Sequence, residues 1–246
     1  DLDVALFNGL LQYLSKNGHA DQAFIAAHTQ GLAQALAQSE SESCIENVAT
    51  RTGISVEKLQ IFYEKFANTS KVMTLFSMGV NQSSQGVNKA NSITNCHLLT
   101  GKIGKLGTAP FSVTGQPNAM GGREVGGLAN MLAAHLELDN ENHQQLVQNF
   151  WHSPHIAKQA GFKAVDLFHA LESGKIKAIW IMATNPVVSL PDADQVKRAL
   201  EQCEFVVVSD ICIDTDTTQY ADVLLPALGW GEKEGTVTNS ERRISR

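Results

Sequence analysis

The sequence lacks a long apolar run and lacks an excess of positive charge. A membrane-spanning helix needs about 20 successive apolar residues, and no stretch of the 246 residues approaches that length. Charged side chains make up only 18% of the chain, and acidic ones outnumber basic ones to give a formal net charge of −6. Proteins that bind nucleic acids usually carry a basic surplus or stripe. We therefore expect neither a membrane nor a nucleic acid as a partner.

Familiar metal and phosphate motifs are also missing. The four cysteines form no CxxC pair and no dense disulfide framework, and neither GxGxxG nor GxxxxGK[ST] occurs. The sequence therefore predicts no metal site made by the chain itself and no usual dinucleotide or P-loop cradle. We expect Cys96, Cys203 and Cys212 to be core thiols.

Hydrophobic residues make up 43% of the chain, enough for a substantial core. The first seventy residues are typical of amphipathic helices, with apolar residues at helical spacing in 7–14 and 59–66. Asp21 and Ser55 are expected to cap helices, and a further helix is expected at 44–51. We expect these helices to pack on a core as a structural scaffold and not to bind a cofactor.

Strands and helices alternate from residue 72 onward. Strand, helix and strand within some thirty residues indicate a βαβ unit, whose strands are parallel with a right-handed crossover. The expected fold class is α/β with parallel sheets and a helical N-terminal portion. The predicted strands are 72–76, 178–183, 205–208 and 222–225, and the predicted helices are about 85–100, 164–173 and 192–202.

The segment 101–127 is rich in glycine and contains two prolines, Pro110 and Pro117. This composition disfavours regular helix and central strand, so we expect an ordered, irregular, functional loop. The last residues, SERRISR, are expected to add no closing helix or strand. Both ends of the chain look cut, which predicts a piece of a longer polypeptide.

Polar residues follow the predicted strands, where open parallel sheets bind ligands. Four such ends are expected along one edge: 78–82, Asn185, Ser209 with Asp210, and the stretch containing Lys233. Asn185 offers an amide and Ser209 a hydroxyl. The Asp210 carboxylate can accept hydrogen bonds from a guanine edge or a ribose, and Lys233 can bind a phosphate. The alternative is that Asn-Pro and Ser-Asp only begin turns and cap helices.

The segment 114–124 contains Gln116 and Arg123 among glycines. Glycine lets backbone approach a ligand closely, the glutamine amide donates and accepts, and the guanidinium is a planar fork suited to small oxyanions. The alternative is an ordinary salt bridge between Arg123 and the adjacent Glu124.

Several motifs occur in a fixed order across nearly the whole chain. Together they resemble the molybdopterin oxidoreductases of the dimethyl-sulfoxide-reductase family, and most closely the assimilatory nitrate reductases within it. The motifs are MGVNQ, LLTGKIGKLGTAPFSVTGQPNAMGGREVGG, ATNP, VVVSD, YADVLLPA and GWGEKEGTVTNSERR.

The resemblance implies parts of two Rossmann-like αβα domains. Residues 1–112 would be the C-terminal part of one, and 113–246 part of a second that contributes to a pterin-nucleotide cleft. It also implies a molybdenum bis(molybdopterin guanine dinucleotide) cofactor, and reduction of nitrate to nitrite by oxygen-atom transfer to the metal. An electron-donor subunit or domain and a cytoplasmic role in nitrate assimilation are further implications.

The resemblance also assigns roles to individual residues. Arg123, Gln116 and Met78 would line the substrate funnel above the metal as catalytic residues. The residues expected to contact the cofactor are Met78, Gln82, Asn185, Ser209, Asp210 and Lys233.

The chain departs from the family pattern in three places. The cysteine motif for an iron–sulfur cluster, the cysteine ligand of the metal and the C-terminal β-rich domain have no counterpart in the sequence. The resemblance therefore implies that a 4Fe-4S cluster belongs to the full-length protein only, and that this piece is inactive alone.

Two other functions stay open. One is another molybdopterin oxidoreductase, such as a formate dehydrogenase, although such enzymes usually have a histidine near an arginine and no His-Arg pair occurs here. The other is a non-catalytic αβα module that binds a nucleotide.

Overall fold

Two units make up the chain, and the computed structural model describes residues 2–246 of it. The first unit ends at Gly115 and the second extends from Gln116 to Arg246. Each contains helices and a parallel sheet, so the α/β class with parallel sheets is confirmed. The assignment of 1–112 and 113–246 to two family domains stays a prediction.

The first unit is mainly helical, and its one sheet is a parallel pair of strands in the order β1-β2. The expected caps are present, since Asp21 Oδ1 accepts a hydrogen bond from the Phe24 amide at 2.9 Å and Ser55 Oγ accepts one from the Lys58 amide at 3.4 Å. The elements are α1 (Leu2–Lys16), α2 (Gln22–His28), α3 (Leu32–Gln38), α4 (Ile45–Thr52), α5 (Val56–Asn68), β1 (Met73–Phe76), α6 (Met78–Asn81), α7 (Gly86–Leu99) and β2 (Ala109–Ser112).

Helices α1, α4, α5 and α7 form the core of this unit. Burial of their apolar faces is the main stabilising contribution, as the helical spacing predicts. Cys96 lies in this core and is fully buried, so its assignment as a core thiol is confirmed. The fully packed residues are Leu10, Leu11, Leu14, Val48, Leu59, Tyr63, Phe66, Cys96 and Leu99.

The second unit contains a three-stranded parallel sheet in the order β3-β4-β5 and a short antiparallel pair, β6-β7. The parallel βαβ arrangement is therefore confirmed. The elements are α8 (Ala119–Glu124), α9 (Glu141–Trp151), α10 (Ala164–Glu172), β3 (Ala178–Met182), α11 (Pro186–Ser189), α12 (Ala193–Gln202), β4 (Phe205–Asp210), β5 (Val223–Pro226), β6 (Val237–Thr238) and β7 (Ile244–Ser245).

One face of this sheet is buried under α10 and α12. Ile181, Val206 and Val208 from the strands pack there against Leu171 and Leu200 from the helices. The strands alternate between faces, and Trp180 and Met182 on the opposite face of β3 are 58% and 59% exposed. The sheet therefore has one packed and one open face within this unit.

The structure corrects several expectations. The segment 101–127 is not wholly irregular, because it contains β2 and α8; Pro110 is tolerated in β2 since that strand has a partner on one side only. The closing residues do include a strand, β7, which pairs with β6. Cys212 is exposed rather than a core thiol, because it lies in the turn after β4, and Cys203 is only partly buried.

No helix among residues 2–246 combines the length and apolar character that crossing a membrane requires.

Replacing Leu171 with alanine tests the core of the second unit. Leu171 is fully buried in α10, so Leu171→Ala should lower the free energy of unfolding by about 2–5 kcal/mol through lost burial and a cavity. The matched control is Leu146→Ala in α9, where the leucine is 59% exposed and the change should stay within about 0.5 kcal/mol. Urea unfolding followed by tryptophan fluorescence measures both, because Trp151, Trp180 and Trp230 all belong to this unit. Equal effects would contradict the packing described.

Candidate functional site

Helix α8 carries Arg123 and is joined to β6 by Asn118. The Asn118 side chain does not cap the helix, but its Oδ1 accepts a hydrogen bond from the Thr238 amide at 3.0 Å. A Cβ atom on Gly121 would lie 2.1 Å from that oxygen. Glycine at 121 therefore leaves the room that this contact between helix and hairpin needs.

The carboxylate of Glu124, at the end of α8, contacts the side chains of Arg242 and His135. Its Oε1 accepts a hydrogen bond from Arg242 Nη2, and its Oε2 lies 3.4 Å from His135 Nε2. The hydrogen bond from Arg242 is the main reason why the pKa of Glu124 lies below its usual value, and His135 contributes in the same direction.

Arg123 is exposed, and within residues 2–246 it forms no ion pair. The alternative of a salt bridge between Arg123 and Glu124 is wrong, because Arg242 and His135 occupy the carboxylate. A guanidinium without a counter-ion is able to bind a small anion. Gln116, the other expected funnel residue of this unit, is also exposed, at the beginning of the unit.

A surface pocket lies beside α8 within the second unit. Its volume is about 390 Å³, and both members of the Glu124–Arg242 pair line it. The complete lining is Asn118, Gly121, Glu124, Val125, Thr236, Thr238, Arg242 and Ile244.

A second group of candidates lies at the carboxyl edge of the sheet β3-β4-β5. Because these strands are parallel, the residues that end β3 and β4 share that edge. Asn185 follows β3, and its Oδ1 accepts a hydrogen bond from Thr217 Oγ1 at 2.6 Å. Thr217 is fully buried and also accepts from the Val187 amide at 3.2 Å. The amide of Asn185 is thus held in one orientation.

Ser209 and Asp210 are the last residues of β4 rather than a turn after it. Ser209 Oγ accepts a hydrogen bond from Trp180 Nε1 at 2.9 Å, and Asp210 Oδ1 accepts one from the Cys212 amide at 3.0 Å. Among residues 2–246, Asp210 Oδ2 has no hydrogen-bond partner. The half-buried carboxylate therefore keeps one oxygen for a ligand.

Lys233 is exposed and follows the short helical turn Trp230–Glu232 after β5. It forms no ion pair in the described part of the chain. An amide follows β3 and a carboxylate ends β4, while Lys233 comes only after the helical turn that follows β5. The binding roles of these residues stay a prediction.

Met78 and Gln82 lie in the first unit, directly after β1. Met78 begins the single-turn helix α6, and the Gln82 amide donates to the Met78 carbonyl at 2.8 Å. Lys89 Nζ, which is buried, donates to the Gly79 carbonyl at 3.3 Å and so fixes this turn. The expectation that four strand ends share one edge is therefore wrong, because β1 belongs to a separate sheet.

Several contacts of this site carry no local signal in the sequence. Asn118 and Thr238 are 120 residues apart, Glu124 and Arg242 are 118 apart, and Asn185 and Thr217 are 32 apart. The Pro-Asn step before α8 is the one local hint, since asparagine often begins a helix. It predicts a cap, whereas Asn118 bonds to a distant strand.

The family description "Molybdopterin oxidoreductase" matches residues 2–246. The chain belongs to this family. It is 54% identical over 245 residues to a nitrate reductase of Shewanella frigidimarina, covering 99% of the chain and 26% of the relative. It is 48% identical over 244 residues to a nitrate reductase of Klebsiella oxytoca, covering 99% of the chain and 27% of the relative.

Other similar proteins are named for different reactions. An F420-dependent formate dehydrogenase subunit alpha of Methanocaldococcus jannaschii is 33% identical over 243 residues, covering 98% of the chain and 35% of the relative. The fold is similar to part of acetylene hydratase from Pelobacter acetylenicus, with a TM-score of 0.67 and 17% identity over 98% of the chain and 35% of that structure. The chain thus spans about a quarter to a third of the length of these relatives.

Replacing Gly121 with alanine tests the junction between α8 and β6. The new Cβ would displace Asn118 and break its hydrogen bond to Thr238, so Gly121→Ala should destabilise the unit by about 1–3 kcal/mol. The neighbouring variant Gly122→Ala is the matched control, because nothing lies within 4 Å of its added Cβ. Amide hydrogen exchange at Thr238 should accelerate in Gly121→Ala alone. Unchanged exchange there would rule out the proposed role of the glycine.

Proposed function

We propose that this chain is the central part of a molybdenum-dependent nitrate reductase that reduces nitrate to nitrite. The observation that carries the proposal is the exposed guanidinium of Arg123, which has no counter-ion among residues 2–246 and follows glycines on a short helix. The family membership supports it, as do the relatives named nitrate reductase.

Arg123 is the proposed substrate-binding group. Nitrate is a planar anion, and a guanidinium donates two parallel N–H bonds to two of its oxygens. The same cation stabilises negative charge that develops as an N–O bond breaks. Gln116 would donate a further hydrogen bond, and Met78 would supply an apolar wall.

The carboxyl edge of the sheet fits a purine nucleotide. Asp210 Oδ2 is an open acceptor, and a guanine base presents adjacent N–H donors that match a carboxylate. Asn185 supplies an amide of fixed orientation, Ser209 a hydroxyl, and Lys233 a cation for a phosphate. These residues and Gln82 would hold a molybdenum bis(molybdopterin guanine dinucleotide). When bound, this group supplies the metal and the electrons for oxygen-atom transfer.

The remaining parts of the enzyme would come from outside these residues. We propose that 1–112 and 113–246 belong to two αβα domains of a longer protein, which also holds the metal ligand and a 4Fe-4S cluster. An electron-donor subunit or domain would reduce it, and the cytoplasm is its proposed location, in nitrate assimilation. The chain alone is expected to be inactive.

Formate oxidation is the second candidate, since one relative is a formate dehydrogenase subunit. The only histidine contact described at α8 is that of His135 with Glu124, and it does not involve Arg123. Comparing nitrate reduction with formate oxidation by the full-length enzyme distinguishes the two. Preferential turnover of formate would contradict our proposal.

Replacing Arg123 tests the substrate site. In the full-length enzyme, Arg123→Ala should lower kcat/KM for nitrate by about 10²-fold or more, because a charged donor at the reacting group is lost. Arg123→Lys keeps the positive charge but loses the paired N–H donors of the guanidinium. Its kcat/KM for nitrate should therefore lie between the values of wild type and Arg123→Ala. Molybdenum content, measured on the same preparations, should not change. Loss of the metal would instead assign Arg123 to cofactor binding.

Replacing Asp210 tests the cofactor edge. Asp210→Asn keeps an oxygen for the Cys212 amide but removes the second carboxylate oxygen, so affinity for the cofactor should fall about tenfold or more. The control is Asp214→Asn, because Asp214 is exposed and outside the strand. The measurement is molybdenum and guanine nucleotide per protein in the purified full-length variants. Full occupancy in Asp210→Asn would exclude the assigned role.

A further inference from the structure

The position of Glu124 is a difficulty for the proposed substrate site. A carboxylate next in sequence to Arg123 opposes the attraction of a cation for an anion, either by pairing with it or through its field. Only 29% of the Glu124 side chain is exposed, so water screens its charge incompletely. The site therefore needs a group that compensates this carboxylate.

Arg242 compensates it. Its Nη2 donates to Glu124 Oε1, while His135 Nε2 lies 3.4 Å from Oε2. Both carboxylate oxygens thus face groups other than Arg123. Of these two groups, only Arg242 carries its positive charge independently of pH.

The backbone of Arg242 supports a role for this contact. Its φ is 61°, in the left-handed region that glycine adopts far more readily than residues with a Cβ. The tight turn explains the conformation, because the Asn239 amide donates to the Arg243 carbonyl at 3.1 Å and the Arg242 amide donates to the Asn239 carbonyl at 2.9 Å. Arginine is thus present where glycine would fit the turn better, and its side chain reaches Glu124.

We propose that Arg242 is a positioning residue of the substrate site, which neutralises and orients Glu124 so that Arg123 presents an uncompensated positive charge to an anionic substrate. The inference rests on the proposed function of Arg123, and it adds a residue from the opposite end of the unit. Arg242 acts through Glu124 and does not contact the substrate itself.

The test uses three variants of the full-length enzyme: Arg242→Gly, Arg242→Lys and the double variant Arg242→Gly with Glu124→Gln. Glycine suits the turn at φ 61°, so Arg242→Gly should fold while leaving Glu124 uncompensated. We expect its KM for nitrate to rise roughly threefold or more, the size of a partly exposed ion pair, with kcat and molybdenum content unchanged. Arg242→Lys should keep the wild-type KM.

The double variant is the decisive comparison. Removing both charges should restore the wild-type KM, because no carboxylate then opposes Arg123, whereas a merely structural salt bridge predicts no recovery. Higher ionic strength should also reduce the difference between Arg242→Gly and wild type. The control Arg246→Gly removes an exposed arginine that pairs with Glu234 instead and should leave the KM unchanged.

The KM of the Arg242 variants and the substrate of the wild-type enzyme test two different proposals. If the wild-type enzyme reduces nitrate but Arg242→Gly keeps its KM, or the double variant does not recover, Arg242 has no positioning role. If the wild-type enzyme oxidises formate instead, the nitrate function fails. The same variants then test Arg242 with formate, which is also a singly charged anion.

Discussion

The hydrogen bond between Asn118 Oδ1 and the Thr238 amide joins helix α8 to strand β6, the two parts of the second unit on which the proposed substrate site depends. Helix α8 has only six residues and two of them are glycines, so it is not stable by its own propensity. Its geometry has to come from the hairpin β6-β7, through this bond. The Glu124–Arg242 pair adds a second contact between α8 and the chain next to that hairpin.

The elements of the fold were predictable where one face of a segment is buried. The strands β3, β4 and β5 are short apolar runs between turn residues, and α10 and α12 repeat apolar residues at helical spacing. Burial determines such segments, and burial leaves a pattern in the sequence. The strands β2 and β7 leave little pattern, because the exposed side chains of β7 and the proline of β2 resemble those of loops.

The sequence predicted which residue types the candidate site contains, but not their hydrogen-bond partners. Asp210 and Asn185 were identified because polar residues at strand ends are where parallel sheets bind ligands. Their partners were not, since Thr217 and Cys212 act through a buried hydroxyl and a backbone amide. The alternative of an Arg123–Glu124 salt bridge failed because the partner of Glu124 is also distant in the sequence. Adjacent opposite charges suggest a salt bridge only while no distant arginine competes for the carboxylate.

If the proposed site is right, substrate choice depends on such local charge arrangements rather than on the fold. Proteins similar to this chain are named for different reactions, and a fold by itself does not define a reaction. In the proposed arrangement, Asp210 and Asn185 would bind the purine of the cofactor and would not discriminate between substrates. An anion that binds at the proposed site would instead respond to the charges around Arg123, where Glu124 contributes −1 and its partner Arg242 offsets it. A single long-range ion pair can therefore adjust affinity for the substrate while the cofactor edge and the core stay the same.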